Sequence, residues 1–399
     1  MLVSLKAHPL SKGMYGDETN YCSELDYLSH YGFYQSLAQG SSFGYSLIAF
    51  ILSKIIPANA LIILKLLSAA SYLTCCFIIL KVFSRFENIK YETRYLGMVF
   101  FAVCCNGIIW RGLPDTTITL LIFTSALILL TRISYKSVSL LALLIFLAFT
   151  IKPVALFYIP GFLLYLLINK KALFKQKVAQ IILFISIFSS CFILYHIPGY
   201  QTYNRLVLED KGHIYDGPKR VEVMPTWNEI NIYYEAYNPN KRENKWHVNF
   251  DEVNEFKKNN PGKLDLSYTQ FLQQHFSVWA KNSVIKIFLD MPYNIDCGMF
   301  YHKWTFINRW IKNLLIIEFL SLIIFVVFSY NEKDFILKNP FFIVPLIYFV
   351  CLSLYVIPQL EGNWLISSLP FLALPMLQFL EKKIGVYIIL LGQLIMVFL

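Results

Sequence analysis

The sequence is short of charge. Of its 399 residues only 15% are Asp, Glu, Lys or Arg, against about 25% in an ordinary soluble domain. The shortage is concentrated in uncharged runs at 96–110, 137–151 and 178–195. Hydrocarbon offers the backbone no hydrogen-bond partners, so such runs cross a bilayer only as helices or as closed barrels. They lack the period-2 alternation of barrel strands, which leaves helices. Other absences narrow the chemistry. The seven histidines and eight cysteines show no metal-ligand spacing, so no metal site is expected from them, and spacing lends a divalent cation no support. No GxxxxGK[ST] loop is present, which argues against direct use of a nucleoside triphosphate. Internal repeats and low-complexity tracts are missing. Residues 1–41 hold no apolar core long enough for a cleavable signal peptide.

What is present is apolar: 57% of residues are hydrophobic. Candidate spans fall at about 60–80, 95–110, 115–131, 137–152, 153–169, 177–197, 311–329, 339–357, 363–380 and 384–399. The expected fold is an all-α integral membrane protein with about ten transmembrane helices, interfacial juxtamembrane helices and one large extracytoplasmic loop. The net charge of +10 does not indicate nucleic acid, because the basic residues sit in short loops between apolar segments and serve orientation. Lys81, Arg85, Lys90 and Arg94 share one side with Arg132 and Lys136, with Lys170, Lys171, Lys175 and Lys177, with Lys333 and Lys338, and with Lys382 and Lys383. The intervening short loops carry only Arg111, with Lys152 at a helix boundary. The first set is therefore cytoplasmic. Lys303, Arg309 and Lys312 dissent, next to a loop too long to count.

Four regions follow: 1–59, an outer acidic segment with an interfacial helix at 43–56; 60–197, an N-terminal bundle; 198–304, an outer loop; and 305–399, the C-terminal helices. In the loop, 266–290 has apolar residues at helical spacing, with Phe271, Phe276, Val278, Trp279, Val284 and Ile287 forming a stripe. Cys22 and Cys297 fall in the two outer regions, where a bridge is open to them in an oxidising compartment. The other six cysteines lie in apolar segments as packing residues.

Four groups could carry chemistry, and all map to the outer side. Asp17-Glu18 is an adjacent acid pair whose titrations are coupled. It is either a general base toward a hydroxyl or a solvated turn. Arg111-Gly112-Leu113-Pro114-Asp115 offers a planar cation that can grip phosphate and an acid that can cap the helix after it. Lys152-Pro153 places a cation between apolar spans, where it needs an anion from the protein or from a lipid; Lys65, one turn inside the first span, makes the same demand. Glu361-Gly362-Asn363-Trp364 is a fourth polar group, or an interfacial anchor. Acids beside cations on one membrane face suit a phosphate-bearing lipid and a hydroxyl acceptor.

These residues resemble the GT-C superfamily of membrane glycosyltransferases, in particular its branch of protein O-mannosyltransferases and aminoarabinose–lipid A transferases, similar to glycosyltransferase family 39. The elements are Gly16-Asp17-Glu18 with Tyr21, Gly44-Tyr45 opening a short helix, Lys65 where the family often has Arg, Pro114-Asp115, Lys152-Pro153 and Asn363-Trp364. Glu361 and Asn363 stand where relatives often carry a basic residue. The resemblance implies a polyprenyl-phosphate sugar as donor and a glycan, lipid or protein acceptor. Asp17 would be the base, with Glu18 beside it. Lys65, Arg111 and Lys152 would steady the phosphate, and Glu361, Asn363 and Trp364 would bind substrate. Asp115 would position substrate or a divalent cation. The expected location is a bacterial inner membrane, with the site facing the periplasm. The competing readings are an O-antigen-type polymerase or ligase and a lipid-linked-oligosaccharide flippase or transporter.

Overall fold

The computed structural model describes residues 17–38, 43–84, 112–131, 133–168, 173–204, 234, 237, 250–264, 268–285 and 339–356. Among them the secondary structure is helical, without strands. We number the helices α1 Asp17–Ala38, α2 Gly44–Ser53, α3 Ala60–Phe83, α4 Asp115–Thr131, α5 Tyr135–Ile151, α6 Ile159–Ile168, α7 Phe174–Tyr203, α8 Phe250–Asn259, α9 Tyr268–Ile285 and α10 Pro340–Val356. A 3₁₀ turn, Pro153–Tyr158, joins α5 to α6.

Local chemistry sets several boundaries. Asn59 caps α3 by accepting from the Ile62 N–H at 2.9 Å, and Ser134 caps α5 through the Ser137 N–H at 3.2 Å; each satisfies a donor that the first turn leaves over. Pro153 ends α5, since the residue before a proline is pushed out of the helical region; Lys152 is extended there (φ −156, ψ 123). The expected span 153–169 is thus a tight turn followed by a ten-residue helix. α7 runs on through Pro198 to Tyr203 and stops where Asn204 turns left-handed (φ 53). The helix therefore occupies residues that the sequence pattern gave to the start of the outer loop.

Among the described residues, two helices are long and apolar enough to cross a membrane, over Ala60–Val82 and Phe174–Thr202. α4 and α5 are shorter apolar helices of 17 residues each. The candidate spans at 95–110, 311–329, 363–380 and 384–399 lie outside the described residues.

The core lies between α3, α4, α5, α6 and α10, with α1 and α2 packed on one end. Small residues let helices approach closely. A Cβ on Gly161 of α6 would come within 2.9 Å of the Val344 backbone in α10, and Tyr158 stacks flat on Tyr348, with ring centres 3.7 Å apart. α7 meets α5 through rings: Phe188, Phe192, Tyr195 and His196 lie against Phe149.

The sequence expects an interfacial helix at 43–56. The helix there, α2, packs on α1, α3 and α5 with Gly44, Tyr45, Ser46 and Ala49 buried, while Ile51 and, just past its end, Ile55 face out. Gly44 sits so close to α5 that a Cβ there would collide with Thr150 Oγ1 and come within 2.9 Å of its carbonyl carbon. In the segment 198–304, α9 bends at His275 (φ −128, ψ 24), which breaks the helical register of the expected stripe. Phe271 is buried with Tyr234, Val253 and Leu264, whereas Phe276 points outward; the side chains of Val284 and Ile287 lie outside the described residues. Cys22 is a free thiol that α1 turns into the core; Cys297, its expected partner, lies outside the described residues.

Candidate functional site

The starts of α1, α2, α3 and α4 and the end of α5 come together. Two carboxylates and two lysines are gathered there. Glu18 (1% exposed), Lys65 (2%) and Asp115 (5%) are buried. Glu18 is buried because α1 presents one face inward: positions 18, 22, 25 and 28 recur at helical spacing and are all buried.

Asp115 opens α4. Lys152 Nζ lies 3.4 Å from its Oδ1, and the lysine keeps 23% of its side chain exposed. The extended Lys152 backbone, fixed by Pro153, is what turns this side chain back toward α4. Lys65 is covered from outside by the chain ahead of α4. Gly112 adopts φ +63, and a Cβ there would lie 3.2 Å from Leu64 Cβ and 3.6 Å from Lys65 Cγ. A glycine satisfies both the left-handed backbone and the close approach.

Tyr45 sits among these charges. It is fully buried, its hydroxyl donates to the Leu64 carbonyl at 3.0 Å, and the charges of both Asp115 and Glu18 reach it. Tyr21 meets it edge-on at 5.2 Å. On the other side, the charge of Asp115 reaches Tyr348 of the Tyr158–Tyr348 stack. Burial pushes the Cys22 thiol up to about 11; Asp26 and Glu18 add to the rise and Lys65 opposes it. These mutual influences place Glu18, Lys65 and Asp115 in one neighbourhood.

No family model, curated protein or solved structure matches the chain.

A polar seam runs from this cluster between α3 and α4. Ser68 and Thr116 hydroxyls meet at 3.0 Å, as do Ser71 and Thr117, and Thr116 Oγ1 also donates to the Ser68 carbonyl. Hydroxyls paired across helices are a common joint in apolar surroundings. Among the described residues, no group of three metal-binding side chains comes together.

Of the residues singled out from sequence, Glu18, Lys65, Asp115 and Lys152 are brought together. Asp17 is the first residue of α1, and its side chain lies outside the described residues, as do Arg111, Glu361, Asn363 and Trp364. Sequence reasoning missed Glu24. It is buried between α1 and α2, accepts from Ser46 Oγ at 2.6 Å, and burial pushes its carboxyl up to about 7, with the Ser46 bond acting in the opposite sense. A signal existed: positions 21, 24, 25 and 28 share the inward face of a helix that begins at 17. It also missed Tyr158 and Tyr348, which no local pattern sets apart from other core aromatics.

Proposed function

We propose that the chain is an inverting glycosyltransferase of a bacterial inner membrane, with about ten spans and its site on the outer face. It moves a sugar from a polyprenyl-phosphate donor to a hydroxyl of an envelope glycan, lipid or protein. The observation that carries this reading is the gathering of Glu18, Lys65, Asp115 and Lys152 at one end of an apolar bundle, with Asp17 beside Glu18 in the chain. Buried charges in such surroundings are costly and are kept where they serve an ion or substrate.

In this reaction Asp17 takes the proton of the acceptor hydroxyl. The acceptor oxygen attacks the anomeric carbon from the face opposite the phosphate. The bond from that carbon to the phosphate oxygen breaks, and polyprenyl phosphate leaves with the electron pair. Lys65, Arg111 and Lys152 steady the negative charge that grows on the phosphate. Asp115 holds Lys152 from inside, and a phosphate reaches the exposed part of that lysine from outside. Glu18, buried and next to Asp17 in the chain, offsets the positive charge of the lysines. Glu361, Asn363 and Trp364 complete the substrate contacts.

The test is Asp17→Asn in purified protein, with release of polyprenyl phosphate measured from defined donors. The loss of a general base lowers the rate by about two to four orders of magnitude. Full activity would move the assignment to an O-antigen-type polymerase or ligase, or to a flippase.

A further inference from the structure

α1 has two unlike halves. Its first ten residues, Asp17–Asp26, carry four acids, of which Glu18 and Glu24 are buried. Residues 27–38 carry no Asp, Glu, Lys or Arg and expose Tyr31 (63%), Phe33 (52%) and Tyr34 (52%). Within the second half, Gly32 (φ 79, ψ 176) interrupts the helix with open space around it.

The depth of this aromatic surface is set by α7. The apolar stretch Phe174–Thr202 has 29 residues. At 1.5 Å per residue it is about 43 Å long, against about 30 Å of bilayer hydrocarbon. Its ends therefore reach the headgroups. Tyr34 donates to Gln201 Oε1 at 2.6 Å, and Gly199 lies under the carbonyls of Leu37 and Ala38. The second half of α1 is thus tied to the last turn of α7. Exposed apolar and aromatic side chains lie on both tied segments: Ile193, Leu194, Ile197 and Tyr200 on α7, and Tyr31, Phe33 and Tyr34 on α1. Tyrosine, with an apolar ring and a polar tip, is the side chain suited to that layer.

We infer that the uncharged half of α1, joined to the end of α7, is a lipid-facing seat in the headgroup layer, and that it fixes the depth of the acidic start of α1. The occupant of the surface is the bilayer itself. The sequence pattern assigns an interfacial role to 43–56; the exposed aromatics add α1 to it. The inference rests on α7 crossing the membrane and not on the reaction.

The full chain is reconstituted in vesicles of phosphatidylcholine and phosphatidylglycerol. Tryptophan is introduced as Tyr31→Trp and, as a reference on α7, Leu194→Trp, and the emission of the seven native tryptophans is subtracted. Lipids brominated near the glycerol should remove about half of the emission added at position 31, while aqueous iodide removes little. Phe33→Trp reports on the same surface if Tyr31→Trp misfolds. Strong iodide quenching at 31 would overturn the seat, as would protection from both quenchers, which would mean that protein covers the surface. Lack of bromolipid quenching at 194 would overturn the crossing of α7 as well. None of these outcomes depends on sugar transfer.

Discussion

α3 and α7 are the two long apolar helices, and their hydropathies are nearly the same. Their surroundings are not. Half of the apolar window in α3 is buried in the protein, against 11% in α7. α3 turns Lys65, Ser68 and Ser71 inward to meet α4 and the chain before it. α7 turns Ile182, Ile185, Ile193 and Leu194 outward and touches the bundle through a line of rings. Hydropathy qualifies both as candidate spans. Polar side chains are buried on each, Lys65, Ser68 and Ser71 on α3 and Gln180 and His196 on α7, but those of α3 lie beside the start of α4, where Ser68 and Ser71 pair with Thr116 and Thr117.

The largest test of that contrast is activity. Lys65→Met should lower sugar transfer by about 10²–10³-fold, the loss seen when one donor to a developing negative charge is removed. Ile193→Ala, on the lipid side of α7, should leave the rate within about twofold, since a surface change away from special features costs little. Equal losses in the two variants, measured as donor turnover in matched vesicles, would erase the distinction.

Next in size is pH dependence at the bundle end. Glu24 has a folded-state pKa of about 7 against an ordinary 4.5. Between those values the folded chain keeps a proton that the unfolded chain loses, so stability falls as pH rises through that window and levels off above it. The span is on the order of 3 kcal/mol. Glu24→Gln retains an acceptor for Ser46 and removes the titration. Its unfolding free energy should be flat over this range and exceed the wild-type value at pH 8. A slope unchanged by the substitution would assign the effect elsewhere.

Smaller effects separate close packing from hydroxyl pairing. Gly44→Ala forces α2 away from the Thr150 backbone and should cost about 1–3 kcal/mol, the usual range for overpacking. Ser68→Ala removes one side of the α3–α4 seam and should cost about 0.6 kcal/mol, the average for such bonds in membranes. Denaturation in the same detergent ranks the two; a reversed order would make the seam the stronger joint.

Much of the apolar framework was legible in the sequence, for reasons visible in particular residues. Uncharged runs locate α3, α4, α5 and α7, and Asn59, Ser134 and Pro153 mark ends with ordinary capping chemistry. α1 was not legible as a helix. Its acids suggest a solvated segment, yet Glu18 and Glu24 face inward and the aromatic half faces out, which inverts the usual polarity rule. The burial of α2 was hidden as well, because a glycine such as Gly44 shows its close contact only once Thr150 is brought beside it. Within the site, Lys152 reads as a cation in need of an anion and Asp115 as a helix cap; that they meet each other depends on the backbone turn at Lys152.

The Tyr158–Tyr348 stack also has a bearing on biogenesis. Its second ring is synthesised about 190 residues after the first. At about 5–20 residues per second, the ribosome needs on the order of ten to forty seconds to supply it. Throughout that interval α6 is without the partner against which Gly161 and Tyr158 pack, so that flank of the N-terminal helices closes only once α10 has been made.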